Sequence, residues 1–258
     1  MIDLLKLEFR RLFRAKSLYI CTVIALVMIV ISAATTKMLL DIASSEEFNE
    51  AFGGAALQKP TSLSMLKTVL SSSLTTILAI FLSIFVTEDY ASDTIKNVYA
   101  KGKSRDSVFF AKYISTLAAS LIMLVFCAGF SFAAGKMLFG EYGTMGDNYV
   151  GSLFAELVIF LAYVTIYFTI AISIKKTGAS IAISIIGPLL VSLFLSLGNA
   201  ALNSETVDLS DYWLDGRLGI LEATNVAGKD LALGFVIGAI ALLVAGAIGY
   251  GINHSSEK

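Results

Sequence analysis

Few residues in this chain of 258 have the types and spacing that covalent chemistry demands. The single histidine, His254, stands near the C-terminus, so a histidine-based metal site or a histidine-activated nucleophile has nothing to draw on. Cys21 and Cys127 lie inside apolar runs and lack the paired spacing of a disulfide framework or a zinc site; both read as buried packing residues. Gly129-x-Ser131-x-Ala133 invites comparison with a hydrolase nucleophile, but no histidine lies at a matching depth to activate it. A G-x-x-x-x-G-K-[ST] phosphate loop is missing from the sequence, so the chain is not itself an ATPase. The expected catalytic, metal and cofactor sets are therefore empty.

Other residues suit gripping rather than reacting. Between positions 88 and 105, Ile95, Val98 and Tyr99 recur at helical spacing among Lys96, Lys101, Lys103 and Arg105. Ser92 or Asp93 can cap the start of a short helix, Gly102 can end it, and Ser104 can cap the next one. A connection that only reverses the chain has no use for an apolar patch. The patch suits docking to another protein, or resting on the membrane surface or on neighbouring connections. Two hydroxyl stripes lie within apolar runs: Thr68, Ser72, Thr75, Thr76 and Ser83, and Ser180, Ser184, Ser192, Ser196 and Asn199 with Pro188 among them. They suit a pathway for an amphipathic cargo, and equally the packing of helices. Gly234, Gly238, Ala245 and Gly249 make small-x-x-x-small patterns that read as close packing.

The elements that must position these residues are membrane spans. The chain is 57% hydrophobic and 15% charged, more apolar than the roughly 45–50% of a soluble domain, and its charges gather between long apolar runs. About 20 apolar residues cross a bilayer core, and six stretches qualify: 18–36, 65–86, 108–138, 154–174, 179–197 and 231–252. The third exceeds one crossing and is expected to tilt or protrude. The fourth and fifth are separated by Lys175, Lys176, Thr177 and Gly178, a tight hairpin. Over residues 1–16, Ile2, Leu5, Phe9, Leu12 and Phe13 oppose Asp3, Lys6, Arg10 and Arg14, which describes an amphipathic helix lying apolar side down on the inner leaflet. Ser32, Ala33 and Ala34 resemble a signal-peptide cleavage site, yet the long, patterned charged stretch before them favours a retained first span.

Charge sets the direction, because basic residues stay on the cytoplasmic side. With the N-terminus inside, the inner segments hold 13 basic and seven acidic residues and the outer ones six and 13, a net +6 against −7. A multi-pass protein of the cell membrane with both termini cytoplasmic fits every loop. The whole chain carries only −1, which gives no field to attract nucleic acid. Lys67 and Glu156 fall near outer ends of spans, where they are expected to reach the interface. No titratable group is evident deep in a span, so the energy source is expected in another polypeptide. The long outer segment 198–230, with Tyr212 and Trp213, receives no assigned role.

An interfacial helix, six spans and a short helix after the second span with Glu88, a Thr94-Ile95-Lys96 core and Gly102-x-Ser104-Arg105 together resemble the type-2 ABC exporter permeases, notably the small ones that export antimicrobial or amphipathic peptides. The resemblance implies an all-α polytopic fold, a single transmembrane domain over 1–258, with the 88–105 segment as a coupling helix. It implies that Glu88, Asp93, Thr94, Ile95, Lys96, Val98, Tyr99, Gly102, Ser104 and Arg105 contact a separate ATP-binding subunit, which binds ATP and magnesium. Asp93 stands where the family usually has glycine. The resemblance also implies pairing with a second permease copy, identical or related, and a substrate pathway along Ser72, Thr75, Thr76, Ser83, Ser184, Pro188, Ser192, Ser196 and Asn199. A membrane scaffold or sensor that holds a signalling protein on the same short helix is the competing reading.

Overall fold

The computed structural model describes residues 2–43, 60–69, 72–92, 99–100, 102, 104–202, 208–223 and 225–255. Among them every regular element is helical: α1 (Ile2–Arg14), α2 (Lys16–Ala43), α3 (Ser62–Thr68), α4 (Ser72–Ala91), α5 (Arg105–Phe139), α6 (Tyr149–Ile174), α7 (Thr177–Leu202), a 3₁₀ turn (Leu209–Tyr212), α8 (Leu214–Leu221) and α9 (Gly228–Ser255). Six of these helices, α2, α4, α5, α6, α7 and α9, are long and apolar enough to cross a membrane. The protein is thus an all-α, multi-pass membrane protein.

The helices alternate in direction, and side-chain contacts sort their ends. Thr87 and Thr177 share a hydrogen bond of 2.7 Å, and Asn253 reaches Asp106 at 3.5 Å. With the Arg11–Glu88 and Lys112–Asp89 pairs, these contacts gather α1, the end of α4, the start of α5, the α6–α7 turn and the end of α9 at one end, called here the basic end. Ser62 bonds to the Glu141 carbonyl and Asn148 to the Val226 carbonyl at the opposite, acidic end.

Helix α6 sits at the centre, packed against α4, α7 and α9. Its contact with α9 is close because Gly234, Gly238, Ala245 and Gly249 are the buried residues of α9, as their spacing indicates. A Cβ on Gly238 would stand 3.0 Å from Val158 Cγ1 and 3.2 Å from the Ile159 nitrogen. Thr169 adds a hydrogen bond of 3.0 Å to the Ala245 carbonyl across the same seam. Phe81 and Phe85 of α4 and Phe160 and Phe168 of α6 belong to one buried core, in which Phe168 meets Phe109 and Tyr113 of α5.

Several boundaries differ from the sequence expectation. The second apolar run is not one helix from Met65 to Val86: α3 ends at Thr68 and α4 begins at Ser72. Helix α3 is a separate cap at the acidic end, started by a Thr61–Ser64 capping box and held to α5 by the Ser131 hydroxyl, which donates to the Met65 carbonyl at 2.8 Å. That bond also gives Ser131 a structural use. Helix α5, at 35 residues, is about 52 Å long at 1.5 Å per residue and outruns the hydrocarbon core. The α6–α7 turn is tight, with Lys175 taking φ 58°.

Helix α1 packs one of its faces on the bundle. Leu4, Glu8 and Leu12, one stripe at i, i+4 and i+8, are buried against the bundle, whereas Ile2, Leu7 and Phe13 are exposed. The helix therefore docks on its own protein along a face that contains a carboxylate.

Candidate functional site

Three arrangements concentrate the polar groups. The first lies at the basic end. Lys112, on the first turns of α5, is 1% exposed and Asp89, on the last turn of α4, is 7% exposed; Lys112 Nζ stands 2.5 Å from Asp89 Oδ2. Arg11 of α1 pairs with the same carboxylate, reaches Glu88 at 3.4 Å and Glu8 at 3.6 Å, and donates to the Phe85 carbonyl at 2.9 Å. The Lys112 ammonium lies 5.0 Å from the Tyr90 ring, and the Arg11 guanidinium 5.0 Å from the Phe85 ring. Charges removed from water this far survive only when paired and hydrogen-bonded, so the cluster ties α1, α4 and α5 together beside the 88–105 connection. Burial pushes the Glu8 carboxyl above its ordinary range, partly opposed by the Lys112 charge.

Within that connection, Asp93, Thr94, Ile95, Lys96 and Val98 lie outside the described residues. Gly102 adopts φ 74° and its N–H donates to the Tyr99 carbonyl at 2.9 Å, and the Ser104 hydroxyl accepts from the Ser107 N–H to cap α5. Glu88 is exposed beside Arg11. Tyr99 turns toward its own chain, packing on Leu4, Val108 and Ala111 with the Arg105 guanidinium 5.6 Å from its ring. This burial raises the pKa of the Tyr99 hydroxyl and places the ring on the neighbouring elements.

The second arrangement is a cavity of about 280 Å3 between α4, α6 and α7. Thr75, Thr76, Ser184, Pro188 and Ser192 line it, so five residues from the two hydroxyl stripes meet in one space. The rest of the stripes fall elsewhere. Ser83 accepts from the Ser180 hydroxyl at 3.0 Å in a buried α4–α7 contact. The Ser196 hydroxyl donates to the Leu193 carbonyl, and Asn199 Oδ1 accepts from the Leu209 N–H at 2.7 Å, anchoring the 3₁₀ turn. The Ser72 side chain lies outside the described residues. Helix α7 runs unbroken past Pro188, whose missing N–H leaves the Ser184 carbonyl without its helical donor. The Ser184 hydroxyl, in a residue 1% exposed, has no hydrogen-bond partner among the described residues. Tyr167 and Asp215 complete the polar lining.

The third arrangement closes the acidic end. Lys67 of α3 donates to the Leu221 and Ala223 carbonyls at 3.0 and 2.8 Å, holding the C-terminus of α8. Leu214, Leu218 and Leu221 of α8 are buried. Arg217 bonds to the Asp211 carbonyl at 2.5 Å and to Asp230 at 3.2 Å. Glu156 of α6 is fully buried, within electrostatic reach of Lys67 and Glu222, and its two carboxyl oxygens have no hydrogen-bond partner among the described residues. Lys67 and Glu156 thus sit inside the protein, not at the interface their span-end positions led one to expect, because α3 turns Lys67 onto the end of α8 and Glu156 is buried within reach of it.

Sequence reasoning did not single out Glu8, Arg11, Asp89 and Lys112 as a group, nor Tyr163, Tyr167 and Asp215. Lys112 carried a signal: it stands four residues inside the third apolar run, and an ionisable group within a span calls for a partner.

A family model described as ABC-2 family transporter protein matches residues 4–192, most of the chain, including α1, the basic-end cluster and the stripe residues up to Ser192. No curated protein and no solved structure matches the chain.

Proposed function

Because the chain belongs to the ABC-2 family of transporter proteins, whose permeases generally pair with an ATP-binding subunit, we propose that it is the membrane-spanning subunit of an ATP-driven exporter for an amphipathic substrate such as a peptide. ATP and magnesium are bound by the partner subunit. Both termini and the basic end face the cytoplasm, in keeping with the positive charge gathered there. The 88–105 segment docks on the ATPase through Ile95 and Val98, while Tyr99 anchors it to α1 and α5.

The observation that carries the pathway assignment is the convergence of Thr75, Thr76, Ser184, Pro188 and Ser192 on one cavity. Leu189 at its edge is 64% exposed, and Ile186, Leu190, Leu193 and Phe194 continue an apolar face along α7. That face suits a second permease copy, identical or related, so that two such cavities meet across the assembly. The basic-end cluster makes α1, α4 and α5 one rigid unit, and movement of a closing ATPase dimer at the connection is then passed to α4, which lines the cavity.

The test replaces Ile95 and Val98 together by Asp in the full chain and asks whether the ATP-binding protein still co-purifies from native membranes. Loss of the partner with an intact, monodisperse permease is expected. Unchanged co-purification would overturn the docking role.

A further inference from the structure

Among the described residues that line the cavity between α4, α6 and α7 there is one carboxylate, and it comes from outside the part of the chain that the family model covers. Asp215 lies on α8, beyond residue 192, yet it lines the same space as Ser184 and Ser192. Among the described residues no lysine or arginine pairs with it. Arg217, two residues on, is engaged by the Asp211 carbonyl and Asp230. The partner Asp215 does have is the Tyr163 hydroxyl, which donates to Oδ1. A carboxylate offers about four acceptor positions, so one donor leaves most of them for whatever enters.

Two further polar groups, both on Ser184, lie beside this space. The Ser184 carbonyl lacks a helical donor because of Pro188, and the buried Ser184 hydroxyl has no hydrogen-bond partner among the described residues. Ile185 and Leu189 supply apolar wall. Acceptors with a negative charge at one place and aliphatic surface beside them suit a group that is rich in N–H donors, positively charged and carried on an apolar stem. A primary ammonium offers three donors and a guanidinium five. The volume of about 280 Å3 falls just below the range of about 300–1,000 Å3 for drug-sized ligands, which is room for one side-chain end and not for a folded peptide.

We propose that this cavity binds a primary ammonium or guanidinium group of an amphipathic cargo, with Asp215 as its counter-charge, so that the exporter selects cationic amphiphiles. This rests on the pathway reading above and adds the charge of the substrate to it.

Trp213, the sole tryptophan, lies two residues from Asp215 and reports on the site. The full chain in phosphatidylcholine nanodiscs is titrated with dinitrophenyl-cadaverine, whose ring quenches tryptophan and whose five-carbon stem ends in an ammonium, and with the same compound acetylated to remove the charge. The cationic probe is expected to bind at least tenfold tighter than the neutral one, and Asp215→Asn to abolish that preference. Tyr163→Phe, which removes a donor and keeps the charge, is expected to preserve it and guards against a folding defect in the first variant. A preference that persists in Asp215→Asn overturns the counter-charge. Ser184→Leu fills the cavity and is expected to weaken both probes. If it weakens neither, the cavity is not where cargo binds, and the pathway reading fails separately. Loss of probe binding when phosphatidylethanolamine replaces phosphatidylcholine would mean that a lipid headgroup ammonium occupies the site, which overturns the cargo assignment; unchanged binding supports it.

Discussion

Replacing Asp89 with asparagine removes the charge that Lys112 depends on. The Lys112 side chain is 2% exposed and its ammonium has Asp89 at 2.5 Å, while its next acceptor, the Val86 carbonyl, stands at 3.4 Å. Removing one partner of a buried pair costs about 3–5 kcal/mol, because the other charge stays buried without compensation. Asparagine keeps one acceptor oxygen in place, which sets the expected loss for Asp89→Asn at the lower end, about 3 kcal/mol. Lys112→Met leaves Asp89 paired with Arg11 and is expected to cost about 1.5–3 kcal/mol, the scale of a lost charged hydrogen bond. The double variant has no stranded ammonium but leaves Arg11 without Asp89, a partly exposed pair whose loss adds about 1 kcal/mol to that of Lys112→Met, so the expected coupling in the double-mutant cycle is about 2 kcal/mol. Equilibrium unfolding of the purified chain in mixed micelles measures all four corners. If the single losses add to within about 0.5 kcal/mol, the two groups do not depend on each other and the account of the basic-end cluster is wrong.

At Gly238, where a Cβ already meets Val158 and Ile159, leucine is expected to push α9 off α6 and cost about 1–3 kcal/mol or more, read in the same unfolding assay; a loss under a few tenths would refute the close seam. Glu8 gives a pH dependence. Its folded pKa lies above the ordinary 4.5, so between 4.5 and the folded value the folded chain holds a proton that the unfolded chain has released. Stability is accordingly lost as pH rises through that window. Glu8→Gln is expected to remove this fall, matching the unmodified chain below the window and exceeding it above; parallel pH profiles for the two proteins would contradict the burial argument.

The six crossings were legible because lipid imposes a length and composition that no loop shares, and the packing face of α9 because glycine and alanine at a four-residue spacing leave little else to do. Five stripe residues reached one cavity since side chains at helical spacing share a face whatever the helix packs against. The end of α3 at Thr68 was hidden, as hydropathy does not register the Ser131 hydrogen bond that holds this short helix to α5. The basic-end cluster was equally hidden: Arg11 and Asp89 are 78 positions apart, and their pairing is a product of helix packing. Lys112 and Arg11 read as topology markers because counting charges treats each as solvated. Asp215 lay in a loop with several acids, and only the fold of α8 separates it from Asp208 and Asp211.

Helix α8 is fastened at both ends to different parts of the bundle. Its first turn is tied through Asp215 to Tyr163 on α6, and its last carbonyls to Lys67 on α3, which hangs from α5 through Ser131. Drawing α5 away from α6 at this end would stretch an eight-residue strap whose own hydrogen bonds resist extension. One fastening has to give first, and the other then becomes a hinge. The order of release would decide whether the Asp215 carboxylate swings outward with the departing helix or stays behind in the opened space.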